Sequence, residues 1–340
     1  MKRFLSYISI AAALAVASCN GGLAPQAPEV VVPGDTVGTV TINASVASMT
    51  MVQVGGDGTR AENPLMQEIE NCMRTVTVLQ FDSEGNLRRA PNGEVYRFYS
   101  YRNDLYPYGV RSFSLDVSDF YKGESTVCLV ANLTEEQIRS ILYPTGNVAD
   151  PINLTSFQHA QMQMDYVLNT TSESEAGLVN EIYMIGYYVG TIGSQSINVA
   201  LSRLVSRVQM VFSVAEDATW TEGKHLYMAS QHIERYVNLW PTGVSPHIFW
   251  NETQPEKFEQ NLTEGSLTVY FYIGPNSALT PDEATKIFLW YRDDANAPTS
   301  NENPDYTVYL CNGAPDMGSE RNYQLNRNSY YIFNFHLTNK

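Results

Sequence analysis

Two residues of this chain have the type and the surroundings for covalent chemistry. Cys19 follows the small residues Val16-Ala17-Ser18, at the end of an apolar run that starts directly after Lys2 and Arg3. A thiol placed there can take an acyl group as the run ahead of it is cut away. Arg60 is the single basic residue of GGDGTRAENP, a stretch with three glycines and one proline. Such a composition keeps a backbone exposed and pliable, so a protease that reads arginine could cut between Arg60 and Ala61.

Other chemistry finds little footing. The five histidines (His159, His225, His232, His247, His336) show neither HExxH nor HxH spacing, and no Cys–His grouping suggests zinc. There is no GxSxG, GxGxxG or P-loop, and Gly55-Gly56-Asp57-Gly58 lacks the lysine and hydroxyl residue that a phosphate loop needs. Asp293-Asp294 beside Asn296 lacks the alternating oxygen ligands and closing glutamate of a calcium loop, and reads as a solvated turn. The chain is therefore read as a non-enzyme with no cofactor and no metal.

The elements that position these residues begin at the N-terminus. Val16–Cys19 after a short apolar run resembles a lipobox, with residues 1–18 as the signal peptide and Cys19 as the lipidated residue. Ordinary signal cleavage after Ala15-Val16-Ala17 fits the small-x-small rule as well. Several acyl chains would hold the protein firmly at a membrane face, where one alone is marginal. Residues 19–37, rich in Pro, Gly, Ala and Val, read as a tether.

Arg60 lies between two strands. Val40, Ile42, Ala44 and Val46 alternate with Thr41, Asn43, Ser45 and Ala47, the period of a strand with one buried face. TVTVLQFD follows the loop, with Val76, Val78 and Gln80 on one face, and ends in a Ser-Glu-Gly-Asn turn. A strand joined to the rest by a loop with one cleavable site could be cut free.

The formal charge of −15, more negative still without Lys2 and Arg3, opposes nucleic-acid binding, which demands a basic surface. Tyr, Thr, Val and Ser abound, which favours strands. The spacing of strand-like runs predicts an all-β chain of sandwiches with short helical insertions, divided into 38–195 and 196–340. Thr134-Glu-Glu-Gln137 is a capping box that starts a helix through Leu142. A second helix is expected from Thr155, with Phe157, Ala160 and Met164 on one face, and SINVALSRLVSRVQMVFSV reads as one long strand. With Cys19 lipidated, Cys72, Cys128 and Cys311 remain: a Cys72–Cys128 bridge and free buried thiols are both open.

Several of these pieces, in order along nearly the whole chain, resemble the fimbrillin superfamily of Bacteroidales, the subunits of the type V pilus. They are the lipobox at Cys19, Thr59-Arg60-Ala61 ahead of VTVLQFDSEGNL, VCLVANL, MIGYYVG, LSRLVSRV and RNSYYIFNFHLTN. The resemblance implies two consecutive transthyretin-like β-sandwich domains. It implies export as a lipoprotein to the outer membrane, trimming by an arginine-specific protease, and assembly by donor-strand exchange with other fimbrial subunits. Val40, Ile42, Ala44 and Val46 would then be the in-cis plug of the groove that a neighbour's strand later fills. Only Leu337–Lys340 follow His336, which leaves no further strand to donate and points to an accessory or tip subunit with an adhesive role. The alternatives are a membrane-proximal anchor that keeps Cys19, and a lipid-anchored module binding a host glycan or protein receptor. The last would use the aromatic groups Tyr96, Tyr99, Tyr101, Tyr106, Tyr108 and Trp220, Trp240, Trp250.

Overall fold

Alternation of apolar and polar residues is realised as extended chain through most of the molecule. The computed structural model describes residues 39–54, 70–90, 93–101, 110–164, 167–169, 182–193, 196–214, 224–241, 247–257, 266–310 and 323–337. The first half carries β1 (Thr39–Val46), β2 (Thr50–Val54), β3 (Thr75–Asp82), β4 (Tyr96–Ser100), β5 (Ser112–Ser118) and β6 (Gly123–Ala131). Helices α1 (Glu135–Leu142) and α2 (Leu154–Gln158) come next, then β7 (Gln161–Gln163), β8 (Val167–Asn169), β9 (Met184–Ile192) and β10 (Ile197–Arg203). The second half carries β11 (Ser206–Val214), β12 (Lys224–Gln231), β13 (Tyr236–Asn238), β14 (Glu256–Lys257) and β15 (Ser266–Ile273). It ends with β16 (Lys286–Asp293), β17 (Tyr306–Tyr309) and β18 (Ser329–Leu337). No helix among the described residues is long and apolar enough to cross a membrane.

Seven strands form the first sheet in the order β4-β3-β6-β9-β10-β1-β5, curled into a half-barrel around one core. β3 is buried on both faces, because α1 and α2 add Ile138, Leu142 and Phe157 to the same core. The Phe81 and Phe157 rings lie 5.6 Å apart. The expected capping box starts α1: Gln137 N–H donates to Thr134 Oγ1 (3.2 Å), and Thr134 N–H donates to Gln137 Oε1 (2.8 Å). α2 is shorter than its periodicity suggested. Asn153 caps it and it stops at Gln158; Gln161–Gln163 turns into β7 to pair with β13, so Met164 is not a helix residue.

The second domain is two facing sheets, β2-β18-β11-β15-β8 and β14-β12-β16-β17. Val208, Met210, Phe271, Tyr331 and Phe333 from one sheet meet Leu226, Met228, Ile287 and Leu289 from the other. The single long strand expected from Ile197 to Val214 is in fact two. The chain bends at Leu204-Val205, and β10 and β11 belong to different sheets. The expected junction at 195/196 thus falls between β9 and β10, inside the first sheet; the chain changes sheets eight residues later. Gly186 marks where β9 and β10 crowd each other: a Cβ there would run into Ala200 O and sit 2.7 Å from Val199 Cγ1.

Candidate functional site

β1 lies inside its sheet, parallel to β10 and antiparallel to β5. Ile42 stands level with Ile197 on one side and Leu115 on the other. Val40, Ile42 and Ala44 are buried in the first core, while Val46 is half-buried at its edge. The opposite face is polar and bonded across strands: Thr41 Oγ1 donates to Asp116 (2.7 Å), and Ser114 Oγ donates to Asn43 Oδ1 (2.9 Å). Alternation in this segment therefore translates directly into a strand with a dry face and a wet one.

The same segment continues into a strand that sequence reasoning missed. β2 pairs in parallel with β18 as the edge of the second domain's first sheet. TMVQV carries a period of two, but it is only five residues long and is followed in sequence by Gly55 and Gly56. Val52 packs against the second core, and Met51 is exposed. Residues 39–54 thus contribute one strand to each domain, joined by the crossover Ala47-Ser48-Met49.

Two arginines of the LSRLVSRV run organise the crossover. Arg203 Nη1 donates to Ala47 O (2.9 Å) and to Asn328 Oδ1 (2.7 Å); its Nε donates to Glu70 O (3.2 Å), and Nη2 reaches Asn71 Oδ1. Asn328 Nδ2 donates to Ser48 O (2.8 Å), and Thr50 N–H donates to Asn328 O (3.0 Å). Arg207 is fully buried and pairs with buried Glu70 at 2.9 Å. Its guanidinium lies between the rings of Tyr330 (4.3 Å) and Tyr270 (4.9 Å), and Tyr272 donates its hydroxyl to Glu70. Burial works to lower the Arg207 pKa, but Glu70 and the three tyrosines outweigh it and hold it above its ordinary value. Burial, then Glu70, pushes the Tyr272 phenol well above its own. The run shows two cations among Leu201, Leu204, Val205 and Val208, but nothing local to it names their partners. Buried charge is costly unless it is paired.

Cys19, Arg60, Ala61 and Cys311 lie outside the described residues, as do Tyr106, Tyr108 and Trp220. Cys72 and Cys128 are both buried and form no disulfide with each other. The described members of the aromatic groups are committed to packing. Tyr96 donates to Glu135 (2.7 Å), Tyr101 stacks on Phe113 (5.3 Å), Trp240 stacks on Tyr187 (4.4 Å), and Arg235 covers Trp250 (4.7 Å). One grouping has the composition of a nucleophilic triad: Ser277 Oγ lies 3.0 Å from His247 Nε2, and His247 Nδ1 lies 3.6 Å from Glu234. The second distance is beyond a hydrogen bond. The N–H of Ala278, the donor nearest the serine in sequence, is already given to Asn276 Oδ1 (2.9 Å). Among the described residues the Ser277, His247 and Glu234 spacing is thus looser than a triad's at its carboxylate end.

The architecture is the two-domain, fimbrillin-like fold of Bacteroidales fimbrial and adhesion proteins. The chain is similar to the tip fimbrial protein Mfa3 from Porphyromonas gingivalis, solved with a C-terminal truncation. The TM-score is 0.56 at 15% identity, over 89% of this chain and 96% of that one. It is also similar to a Parabacteroides distasonis protein assigned to cell adhesion, with a TM-score of 0.52 at 12% identity over 88% and 89%. These are fimbrial and adhesion proteins rather than enzymes. No protein-family model matches the chain, and no curated protein does.

Proposed function

We propose that the chain is a structural subunit of a cell-surface fimbrium. In this reading it is exported as a lipoprotein through Cys19, and its two domains are transthyretin-like sandwiches. Cleavage between Arg60 and Ala61 by an arginine-specific protease makes it competent to assemble by strand exchange. The observation that carries the reading is the course of residues 39–54: one strand in each domain, directly upstream of the segment whose sequence holds Arg60. Withdrawing this segment would bare the unpaired edges of β10 and β18. It would also empty the places of Val40, Ile42 and Ala44, each aliphatic side chain worth about 1.5–3 kcal/mol of burial when large. A strand from another subunit would restore both the ladder and the apolar contacts. Likeness in fold to a tip fimbrial protein favours a place at or near the tip, with an adhesive role toward a host glycan or protein.

Limited trypsin digestion tests the reading. A cut after Arg60, shown by a new N-terminus at Ala61, should be followed by a ladder of polymers, and Arg60→Ala should stay monomeric. Equal polymer from Arg60→Ala and the parent would refute it.

A further inference from the structure

The chain on either side of residues 55–69 is held by two different kinds of bond. Downstream, Glu70 is locked by a buried carboxylate–guanidinium pair with Arg207 and by the Tyr272 hydroxyl. Upstream, Arg203 and Asn328 grip the crossover through its main-chain oxygens, those of Ala47 and Ser48. Arg203 touches both flanks, through Ala47 O and Glu70 O. Breaking the first set separates a buried ion pair, whereas breaking the second takes neutral carbonyls away from Asn328 and from Arg203, itself buried. The grip on the upstream flank therefore depends on where carbonyls sit and not on which side chains the crossover carries.

Asn328 is shaped for this task. Its φ of 53° puts it in the left-handed region, which asparagine tolerates better than most residues. That turn lets its carbonyl accept Thr50 N–H while its side chain reaches back to Ser48 O and to Arg203. We propose that Arg203 and Asn328 form a main-chain latch that ties β1 and β2 into one removable unit and recognises a bent backbone rather than a sequence. The partner it fits is an extended segment of another subunit. That segment would have alternating apolar residues with a small one at the place of Ala44, then a three-residue bend offering two carbonyls, then a strand parallel to β18. Side chains in the bend are free to vary; selectivity rests on the places of Val40, Ile42 and Ala44. The biological use of the latch rests on the strand-exchange reading, but its physics does not.

Hydrogen exchange on the uncut full chain tests it. Asn328→Gly keeps the left-handed backbone and removes both side-chain contacts. Amides in 40–46 and 51–54 should then exchange about tenfold faster, by a common factor in both strands, with β3, β6 and β15 unchanged. Asn328→Asp keeps the acceptor for Arg203 and should fall between Asn328→Gly and the parent. Replacing Ser48 and Met49 together by alanine should leave the rates within about twofold. Unchanged rates in Asn328→Gly, unequal factors in the two strands, or a uniform rise across the molecule would overturn the latch. Polymer formation after cutting is scored separately. Polymer with unchanged exchange sinks the latch alone, and coupled loosening with no polymer sinks strand exchange alone.

Discussion

Glu70→Leu is expected to be among the most damaging single substitutions in the described structure. It removes the carboxylate that lies 2.9 Å from Arg207 and leaves that fully buried guanidinium between the Tyr270 and Tyr330 rings without its Glu70 counter-charge. Breaking one partner of a buried pair typically costs about 3–5 kcal/mol. The two tyrosine faces offset part of this, at about 0.5–2 kcal/mol each. A net loss of up to about 4 kcal/mol follows. Glu70→Gln keeps an acceptor for Tyr272 and Arg207 and should lose roughly half as much, since hydrogen bonds to charged groups are worth about 1.5–3 kcal/mol. The double variant Glu70→Leu, Arg207→Met removes both charges and should return to within about 1 kcal/mol of the parent. Urea unfolding followed by tryptophan fluorescence reads all three midpoints. If the double variant is as unstable as Glu70→Leu alone, the cost is lost packing and not stranded charge, and the account of the hub fails.

Two further outcomes follow from the core. Gly186→Ala should lower stability by about 2 kcal/mol or more and speed amide exchange at Met184 and Ile185, because Ala200 O is backbone and cannot swing aside; an unchanged melting curve would contradict this. Burial pushes the Cys128 thiol far above its ordinary value, so it should resist a thiol reagent at pH 8.5 until the chain unfolds. With its folded pKa raised, this group's contribution to stability is full below about pH 8.5 and is lost as pH climbs beyond. Labelling of the native protein at the unfolded rate would show that the site opens locally.

The alternation over Val40–Val46 made β1 legible, because a one-residue slip would turn every apolar side chain outward. Thr134 and Gln137 made the start of α1 legible, since both halves of the capping box are local. The split of Ile197–Val214 was not: Leu204 and Val205 carry no glycine or proline, and the bend follows from the two sheets that β10 and β11 must join. β2 was hidden for a related reason. Five residues beside a glycine-rich stretch of sequence carry too little pattern, and the strand exists because β18 offers an edge to it. Nor could Arg203 and Arg207 be read as a hub from their own neighbours. Their partners at Ala47, Glu70, Asn328 and Tyr330 are distant in sequence.

Among the described residues β5 has one neighbour in the sheet, and that neighbour is β1. Ser112, Ser114, Asp116 and Ser118 point to water, and Val117 is its only fully buried side chain. A slot vacated by β1 would therefore have one firm wall, β10, and one wall that falls slack with the departure. Under the strand-exchange proposal, an incoming strand would have to reorder β5 as it docks, at about 1–2 kcal/mol of backbone entropy per residue. Such a capture starts slowly, because the first contacts on β10 go unrewarded on the other side. It then closes all at once when β5 folds back over the newcomer. Joints of this kind form reluctantly and, once made, open just as reluctantly, since the occupant can leave only after its cover has unzipped.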